Sequence, residues 1–367
     1  MYEKICSFEN LLKSYGLARK NNRYKTSVTR FDFFLESNLF KLQQELVTGS
    51  YTTKPYKHFV VTDPKRRQIA APDFRDRVVQ HALVSEIEPL FDKGFINDAY
   101  ACRKNKGTHF AQKRVKKFLQ AARSIYGKDK ELYVLKCDIK KFFPSISWDI
   151  LLGILKKKIT CTRTIILIKK IVTSHEVYGD LNLRTKNPQL SLFERDNLLN
   201  VEDVISISER KGLPIGNLTS QLFANVYLNE LDQFVKNILR ERWYGRYMDD
   251  FFVISGDKKH LLEIKEKIRE FLREKLKLTL HPRKSFVQNT KDGVCFVGYR
   301  IFYDHILIKG STLLRFQKKL QKRKEELKKG RIDASKLNQT IQSFSGHLKH
   351  ANAHRLLSFI TEKLLCI

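Results

Sequence analysis

The nine residues Arg246-Tyr247-Met248-Asp249-Asp250-Phe251-Phe252-Val253-Ile254 constrain this chain more than any other stretch. Two adjacent acids stand between short runs of aromatic and branched residues, the pattern of a β-hairpin with the acids at its tip. Neighbouring side chains on a strand point to opposite faces, so Asp249 and Asp250 can serve one site only if a turn separates them. A tight turn at Met248-Asp249 meets that requirement, letting Asp249 project toward a site with Asp250 beside it. Apolar flanks make uncompensated carboxylates costly. A divalent cation, which takes hard oxygen ligands, is the natural compensation. The plain alternative is a surface turn with two solvated aspartates, and the apolar flanks argue against it.

A second stretch, Leu132-Tyr133-Val134-Leu135-Lys136-Cys137-Asp138, reads as a mostly buried strand ending in an acid. Ile139-Lys140-Lys141-Phe142-Phe143-Pro144-Ser145 follow it. Asp138 at a strand end and Asp249 at a hairpin tip could together hold two metal ions ~3.5–4 Å apart, the arrangement that serves phosphoryl transfer in polymerases and nucleases. In this order, the Asp-Ile-Lys-Lys-Phe-Phe and Tyr-Met-Asp-Asp boxes resemble the two palm motifs of reverse transcriptases. The resemblance implies an α+β chain of the right-hand polymerase kind, with fingers, a palm of antiparallel sheet plus helices, and a helical thumb. On that scheme residues 1–57 are a helical extension, 58–130 fingers, 131–290 palm with an insertion at 160–210, 291–309 a primer-grip hairpin and 310–367 thumb.

Bulk properties agree. Lys and Arg number 70 against 39 Asp and Glu, a net charge of +31, which favours a polyanionic partner because each neutralised phosphate releases counterions. An anionic membrane surface would attract the same charge, yet no apolar run approaches the ~18–20 residues of a membrane span. The N-terminus lacks the apolar core of a signal peptide. Six scattered cysteines without a Cys-x-x-Cys pair fit free thiols in a reducing cytoplasm.

Taken in order, residues 1 to 57 read as helical, basic and aromatic, with Phe31, Phe33, Phe34, Leu35, Leu39 and Leu42 on one amphipathic face. His58–Thr62 and Arg67–Pro72 read as two strands around the turn Asp63-Pro64-Lys65-Arg66, either a solvated turn or a basic cover over a triphosphate. Asp73–Leu83 and Ala99–Thr108 resemble the helix after the first fingers motif and the second fingers motif. The resemblance implies Arg67, Arg103 and Lys104 as triphosphate ligands, with the assignment open among Arg66, Arg67, Arg103 and Lys104. A guanidinium can hold phosphate oxygens bidentately. Asn182–Val204 reads as a polar insertion without a motif.

Lys211–Gln221 is a Gly-rich turn opening a helix, which lets backbone approach a nucleotide closely. It resembles the fourth reverse-transcriptase motif, with Ile215 where most cellular relatives have Gln and Gln221 where they have Pro. The Ile-Gly-Asn-x-Thr-Ser-Gln form resembles the reverse transcriptases of diversity-generating retroelements. That subtype implies mutagenic retrohoming, with cDNA synthesis error-prone opposite template adenines and Ile215, Gly216 and Gln221 beside the nascent base pair. Retron and phage-defence reverse transcriptases are the nearest alternatives, and a catalytically silent RNA-binding scaffold the most distant.

Further along, Leu261, Ile264, Ile268, Phe271, Leu272 and Leu276 recur at helical spacing. Leu278–Ser285 resembles the motif whose lysine sits near the leaving pyrophosphate, which leaves Lys284 either a general acid or a phosphate contact. Gly293–Tyr299 resembles the primer grip. Nine Lys/Arg and two Glu lie between Arg315 and Arg331, beside a stripe of Leu313, Phe316, Leu320 and Leu327, a face suited to a duplex backbone. His347, His350 and His354 share a helical face, read as packing or nucleic-acid contact in preference to zinc.

Carried onto this sequence, the resemblance implies two Mg2+ ions at Asp138 and Asp249, with Asp250 alongside and the Ile139 carbonyl a further ligand. It implies Phe143 against the sugar 2′ position, and Tyr247, Met248, Phe296, Gly298 and Tyr299 along primer and template. The partners implied are a template RNA, the cDNA, dNTPs and a small basic accessory protein, in a bacterial or phage-encoded cytoplasmic enzyme whose oligomeric state is left open.

Overall fold

A computed structural model describes residues 1–62, 66–184, 210–353, 356 and 358. The chain divides into two units, one built from residues 1–96, 140–232 and 271–279, the other from 97–139, 233–270 and 280–367.

The first unit opens with four helices: α1 (Tyr2–Cys6), α2 (Phe8–Arg19), α3 (Thr26–Phe33) and α4 (Leu35–Thr48). The Ser7 hydroxyl accepts from Asn10 N–H to cap α2, and Gly49 at φ +77° ends α4 in a left-handed conformation. Phe31, Leu39 and Leu42 are buried as the periodicity predicts, with Leu35 half-buried, and Leu46 extends the buried face. Phe33 and Phe34 correct that prediction. The helix breaks at Phe34 (φ −122°, ψ 46°), so the face does not run through, and the two rings turn outward at 80% and 60% exposure. Strands β1 (Lys57–Val61) and β2 (Arg67–Ala71) pair antiparallel, His58 opposite Ala70. Most of the expected turn between them, residues 63–65, lies outside the described residues. Helix α5 (Phe74–Asp92) starts at Asp73, whose carboxylate accepts from Arg75 N–H, and it packs on α2. Helices α7 (Phe142–Ser145), α8 (Trp148–Lys156), α9 (Thr162–Arg184) and α10 (Leu218–Gln233) complete this unit's main elements. Most of the expected polar insertion, residues 185–209, lies outside the described residues.

In the second unit, β3 (Tyr133–Asp138) is an inner strand of a four-stranded antiparallel sheet in the order β4-β5-β3-β6, with β4 at Tyr244–Tyr247, β5 at Asp250–Ser255 and β6 at Phe286–Asn289. Strand alternation sends Val134, Phe252 and Ile254 into a core shared with Val115, Phe118 and Ala122 of α6 (Thr108–Tyr126). Gly245 in β4 has no room for a side chain, because a Cβ there would lie 2.7 Å from the Tyr100 hydroxyl and 2.9 Å from the Phe252 ring. On α11 (Lys258–Lys275) and just past it, Leu261, Ile264, Ile268, Leu272 and Leu276 are buried as the helical spacing predicts.

The predicted primer-grip hairpin, β7 (Val294–Phe296) and β8 (Tyr299–Ile301), gains a third antiparallel strand, β9 (Ile306–Ile308). Helices α12 (Gly310–Lys328) and α13 (Ala334–Leu348) close on each other through Phe316 and Phe344, whose rings stack 3.7 Å apart, with Leu313, Leu320 and Leu327 beside them. Among the described residues there is no helix long and apolar enough to cross a membrane. The architecture is α+β, as expected.

Candidate active site

Asp138 ends β3 and Asp250 begins β5, and the two are direct partners in the register. Residues opposite one another in an antiparallel pair share a face, with Cβ atoms ~4.5–5.5 Å apart. Two carboxylates therefore stand side by side at one end of a face whose other end is core. The loop between β4 and β5 is only Met248-Asp249, closed by Tyr247 opposite Asp250. Met248 adopts φ +56°, the left-handed value a two-residue hairpin asks of its first loop residue and one that few non-glycine residues take. This is the turn the double acid requires.

Buried groups hold it. Arg246 is fully buried and its Nη1 donates to the Met248 carbonyl at 3.1 Å. Its backbone is clamped on both sides: Arg246 N–H donates to Asp98 O and Tyr100 N–H donates to Arg246 O, each at 2.9 Å. The segment Asp98–Tyr100 thus lies along β4, bridged in parallel at Ala99. The Asp98 carboxylate, itself 8% exposed as a residue, accepts from Arg114 at 2.7 and 3.0 Å and from the Tyr100 hydroxyl at 3.1 Å.

Charge at the site is finely divided. Lys284 Nζ donates to both oxygens of Asp138, at 3.2 and 3.1 Å. Lys136 Nζ lies 3.6 Å from Asp250 Oδ1. Burial pushes the Asp250 carboxyl up to about 6; Lys136 pulls it back, and the neighbouring Asp138 and Asp249 push it further up. Carboxylates and backbone oxygens are the hard donors that a divalent cation takes. The Ile139–Leu280 bridge is of the wide kind: its bonds run from His281 N–H to Asp138 O (2.7 Å) and from Lys140 N–H to Thr279 O (2.9 Å), outside the Ile139 carbonyl. Among the described residues no three His, Cys, Asp or Glu side chains close round one metal position. The donors fit a cation that takes one or two carboxylates and completes its shell with water and substrate phosphate.

Near the hairpin, Tyr247 is half-buried and Arg103 Nη1 donates to the Ala99 carbonyl at 3.1 Å, while Lys104 is exposed. Phe296 and Tyr299 are core residues at 1% and 0% exposure, the Phe296 ring 5.0 Å from Phe252 and 6.3 Å from Tyr100. They support the hairpins rather than present a surface. Val297 and Gly298 form the β7–β8 turn at φ +44° and +90°. The Tyr299 hydroxyl hydrogen-bonds His347 Nδ1 at 2.9 Å and His109 Nδ1 at 3.3 Å, and His350 stacks on His109 at 3.6 Å. Packing thus occupies His347 and His350, while His354 lies outside the described residues.

The remaining predicted residues belong to the first unit, where three separately read motifs meet. Leu213 N–H donates to Phe143 O at 2.9 Å, and Ala70 N–H donates to Ile215 O at 3.1 Å. Gly216, at φ +122°, lies against β2, where a Cβ would come within 2.9 Å of Ile69 Cγ2 and 3.3 Å of Ala70 O. The Phe143 turn, the Gly-rich turn and the strand that begins at exposed Arg67 are therefore one assembly, with Gln221 half-buried in the first turns of α10.

Sequence reading passed over Asp98, Arg114 and Lys136 and gave Arg246 no part. Lys136 was within reach: it stands two residues before Asp138, on the same strand face. Asp98 and Arg114 left no local signal, because their importance comes from a contact with β4 far along the chain.

The sequence matches the family described as Reverse transcriptase (RNA-dependent DNA polymerase) over residues 57–301. Protein YkfC from Escherichia coli (strain K12) is 24% identical over 294 residues, covering 71% of this chain and 70% of that protein. The group II intron-encoded protein LtrA from Lactococcus lactis subsp. cremoris is 22% identical over 360 residues, covering 80% of this chain. The chain spans about half of that relative, 54% of its length. Among solved structures, apo telomerase from Candida tropicalis truncated from the C-terminal domain aligns at TM-score 0.49 and 14% identity, over 72% of this chain and 59% of that one. So loose a likeness adds nothing to the family match.

Proposed function

This chain belongs to the reverse transcriptase (RNA-dependent DNA polymerase) family, and on that premise we propose that it has the right-hand polymerase fold and copies a template RNA into cDNA within a diversity-generating retroelement. The observation that carries the polymerase reading is the register pairing of Asp138 with Asp250 beside the Met248-Asp249 turn. The retroelement subtype rests on Ile215 and Gln221, which depart from the form most cellular relatives share, on either side of a Gly216 that keeps to it.

In this reading Asp138, Asp249 and the Ile139 carbonyl hold two Mg2+ ions, with Asp250 alongside. When bound, the ions supply activation of the primer 3′-hydroxyl and neutralisation of charge on the triphosphate. The chain's own residues do the rest. Lys284 keeps a proton at Nζ beside Asp138, where it serves the leaving pyrophosphate as acid or as phosphate contact. Arg67, Arg103 and Lys104 bind the triphosphate, and Phe143 closes the space a 2′-hydroxyl needs. Tyr247 and Met248 flank the primer end, over the hairpin support of Phe296, Gly298 and Tyr299. The cations of α12 follow the duplex backbone. A small basic accessory protein belongs to the same proposal. Similarity to a group II intron-encoded protein is equally compatible with a second reading, a reverse transcriptase of retron or phage-defence type.

Primer extension on an RNA template with Mg2+ and four dNTPs, followed by sequencing, separates the readings. We expect cDNA with substitutions concentrated opposite template adenines, and none from Asp249→Ala. Faithful cDNA moves the chain to the second reading. No cDNA, with template RNA and accessory protein both supplied, refutes the polymerase.

A further inference from the structure

Lys136 occupies a place the polymerase reading leaves without a role. It lies on β3 two residues before Asp138, so its side chain rises from the face that carries Asp138 and Asp250. Its direct partners are apolar on both sides, Phe252 on β5 and Phe286 on β6. The side chain is 17% exposed, against 46% for Lys284, and Asp250 is its one ion-pair partner among the described residues. An ammonium this enclosed is costly unless an anion faces it. The two lysines also differ in how they touch their acids. Lys284 hydrogen-bonds Asp138 from the exposed side at 3.1 and 3.2 Å, whereas Lys136 stands 3.6 Å from Asp250, close enough for charge and too far for a well-formed bond.

We propose that Lys136 is the resident counter-ion of the carboxylate centre: a positioning residue that holds Asp250 in place while no cation is bound and lowers the affinity of the centre for cations. It rests on the reading of Asp138, Asp249 and Asp250 as cation ligands. Without Lys136, Asp250 would face the negative charges of Asp138 and Asp249 without the cation that now offsets its own. With it, an arriving divalent ion meets a centre already partly neutralised, binds more weakly and leaves more easily. A polymerase that must release a cation with each pyrophosphate gains from that weakness.

Direct Mn2+ binding, read by the loss of the free-ion paramagnetic signal at mildly alkaline pH, tests the proposal without any turnover. Lys136→Met should bind Mn2+ more tightly than the wild type by on the order of tenfold, the effect of removing one nearby charge in a partly solvated site, and Lys136→Arg should bind as the wild type does. Unchanged or weaker binding by Lys136→Met overturns the proposal. If that variant does not fold, the double variant Lys136→Met with Asp250→Asn decides: it folds if the trouble is an unpaired carboxylate, and a double variant that also fails makes Lys136 a packing residue and ends the proposal. Primer extension on the same preparations keeps the two questions apart. A chain that binds Mn2+ as predicted yet makes no cDNA retains its counter-ion and loses the polymerase reading.

Discussion

Two hairpins of the second unit turn in two residues, and each puts a bulky side chain where left-handed backbone favours glycine. At the first, Tyr247-Met248-Asp249-Asp250, Met248 sits at φ +56° and the next residue is an acid. At the second, Phe296-Val297-Gly298-Tyr299, Val297 sits at φ +44° and glycine follows at φ +90°. The second nearly satisfies the preference of its turn type, which wants positive φ at both loop positions. It is held by light contacts, the Gly298 carbonyl accepting from Lys309 N–H at 3.1 Å and from the Thr312 hydroxyl at 3.5 Å. The first has positive φ at Met248 alone, the loop position where such a turn favours glycine, and a buried guanidinium with a backbone clamp on either side offsets that. Strain of this sort persists only where the surroundings over-determine it, and the heavier bracing falls on the hairpin to which the proposed chemistry is assigned.

The most direct way to break the contrast is to give the first hairpin a favoured turn. Met248→Gly with Asp249→Ser should leave stability unchanged or raise it by up to ~1 kcal/mol. Primer extension should fall at least ~10³-fold with it, because a ligand acid is gone. Next comes the bracing. Arg246→Met should cost about 3 kcal/mol in urea unfolding, since the Met248 carbonyl loses a charged donor in a buried setting. Thr312→Val, which removes only the long bond to Gly298, should stay within ~0.5–1 kcal/mol.

The acids of the first hairpin also predict a pH effect that the second cannot show. Asp250 rises from 3.8 to about 6, chiefly through burial, so the folded chain holds its proton more tightly than the unfolded chain. Stability of the cation-free protein should therefore fall as pH rises from about 4 to about 6. Asp76, also pushed up to about 6 by burial, contributes with the same sign. Melting curves of wild type and Asp250→Asn in EDTA isolate the part due to Asp250: the variant should lose part of the slope between about pH 4 and 6, and should melt lower at neutral pH because enclosed Lys136 loses the anion that faces it. Smaller effects belong to the second hairpin. Gly298→Ala should cost about 1–2 kcal/mol, and Val297→Asn should stabilise by a few tenths to ~1 kcal/mol.

Much of this was legible beforehand because the informative residues were local. The mostly apolar run Leu132–Asp138 ending in an acid placed a strand, and paired acids between apolar runs placed a tight turn, each from a few consecutive residues. The tie between the Gly-rich turn and β2 was not legible, since it depends on Ile69 lying where a Cβ on Gly216 would go. Nor was the clamp of Asp98 and Tyr100 on Arg246, whose members are far apart in sequence. Phe33 and Phe34 failed for another reason: composition suggested a continuous apolar face, and one non-helical residue ended it.

That clamp also fixes when the centre can exist. A chain emerging from the ribosome carries Asp98, Tyr100 and Asp138 long before Arg246 and Asp250 are made, and pairings between distant segments form slowly. Until β5 arrives, β3 has an open flank and its terminal acid has no partner. A nascent or truncated chain therefore has scattered aspartates in place of the proposed cation centre, and on that proposal capacity to bind divalent ions should appear only once translation has passed the second hairpin strand. Arrested ribosome–nascent chain complexes would show it as a step rather than a slope.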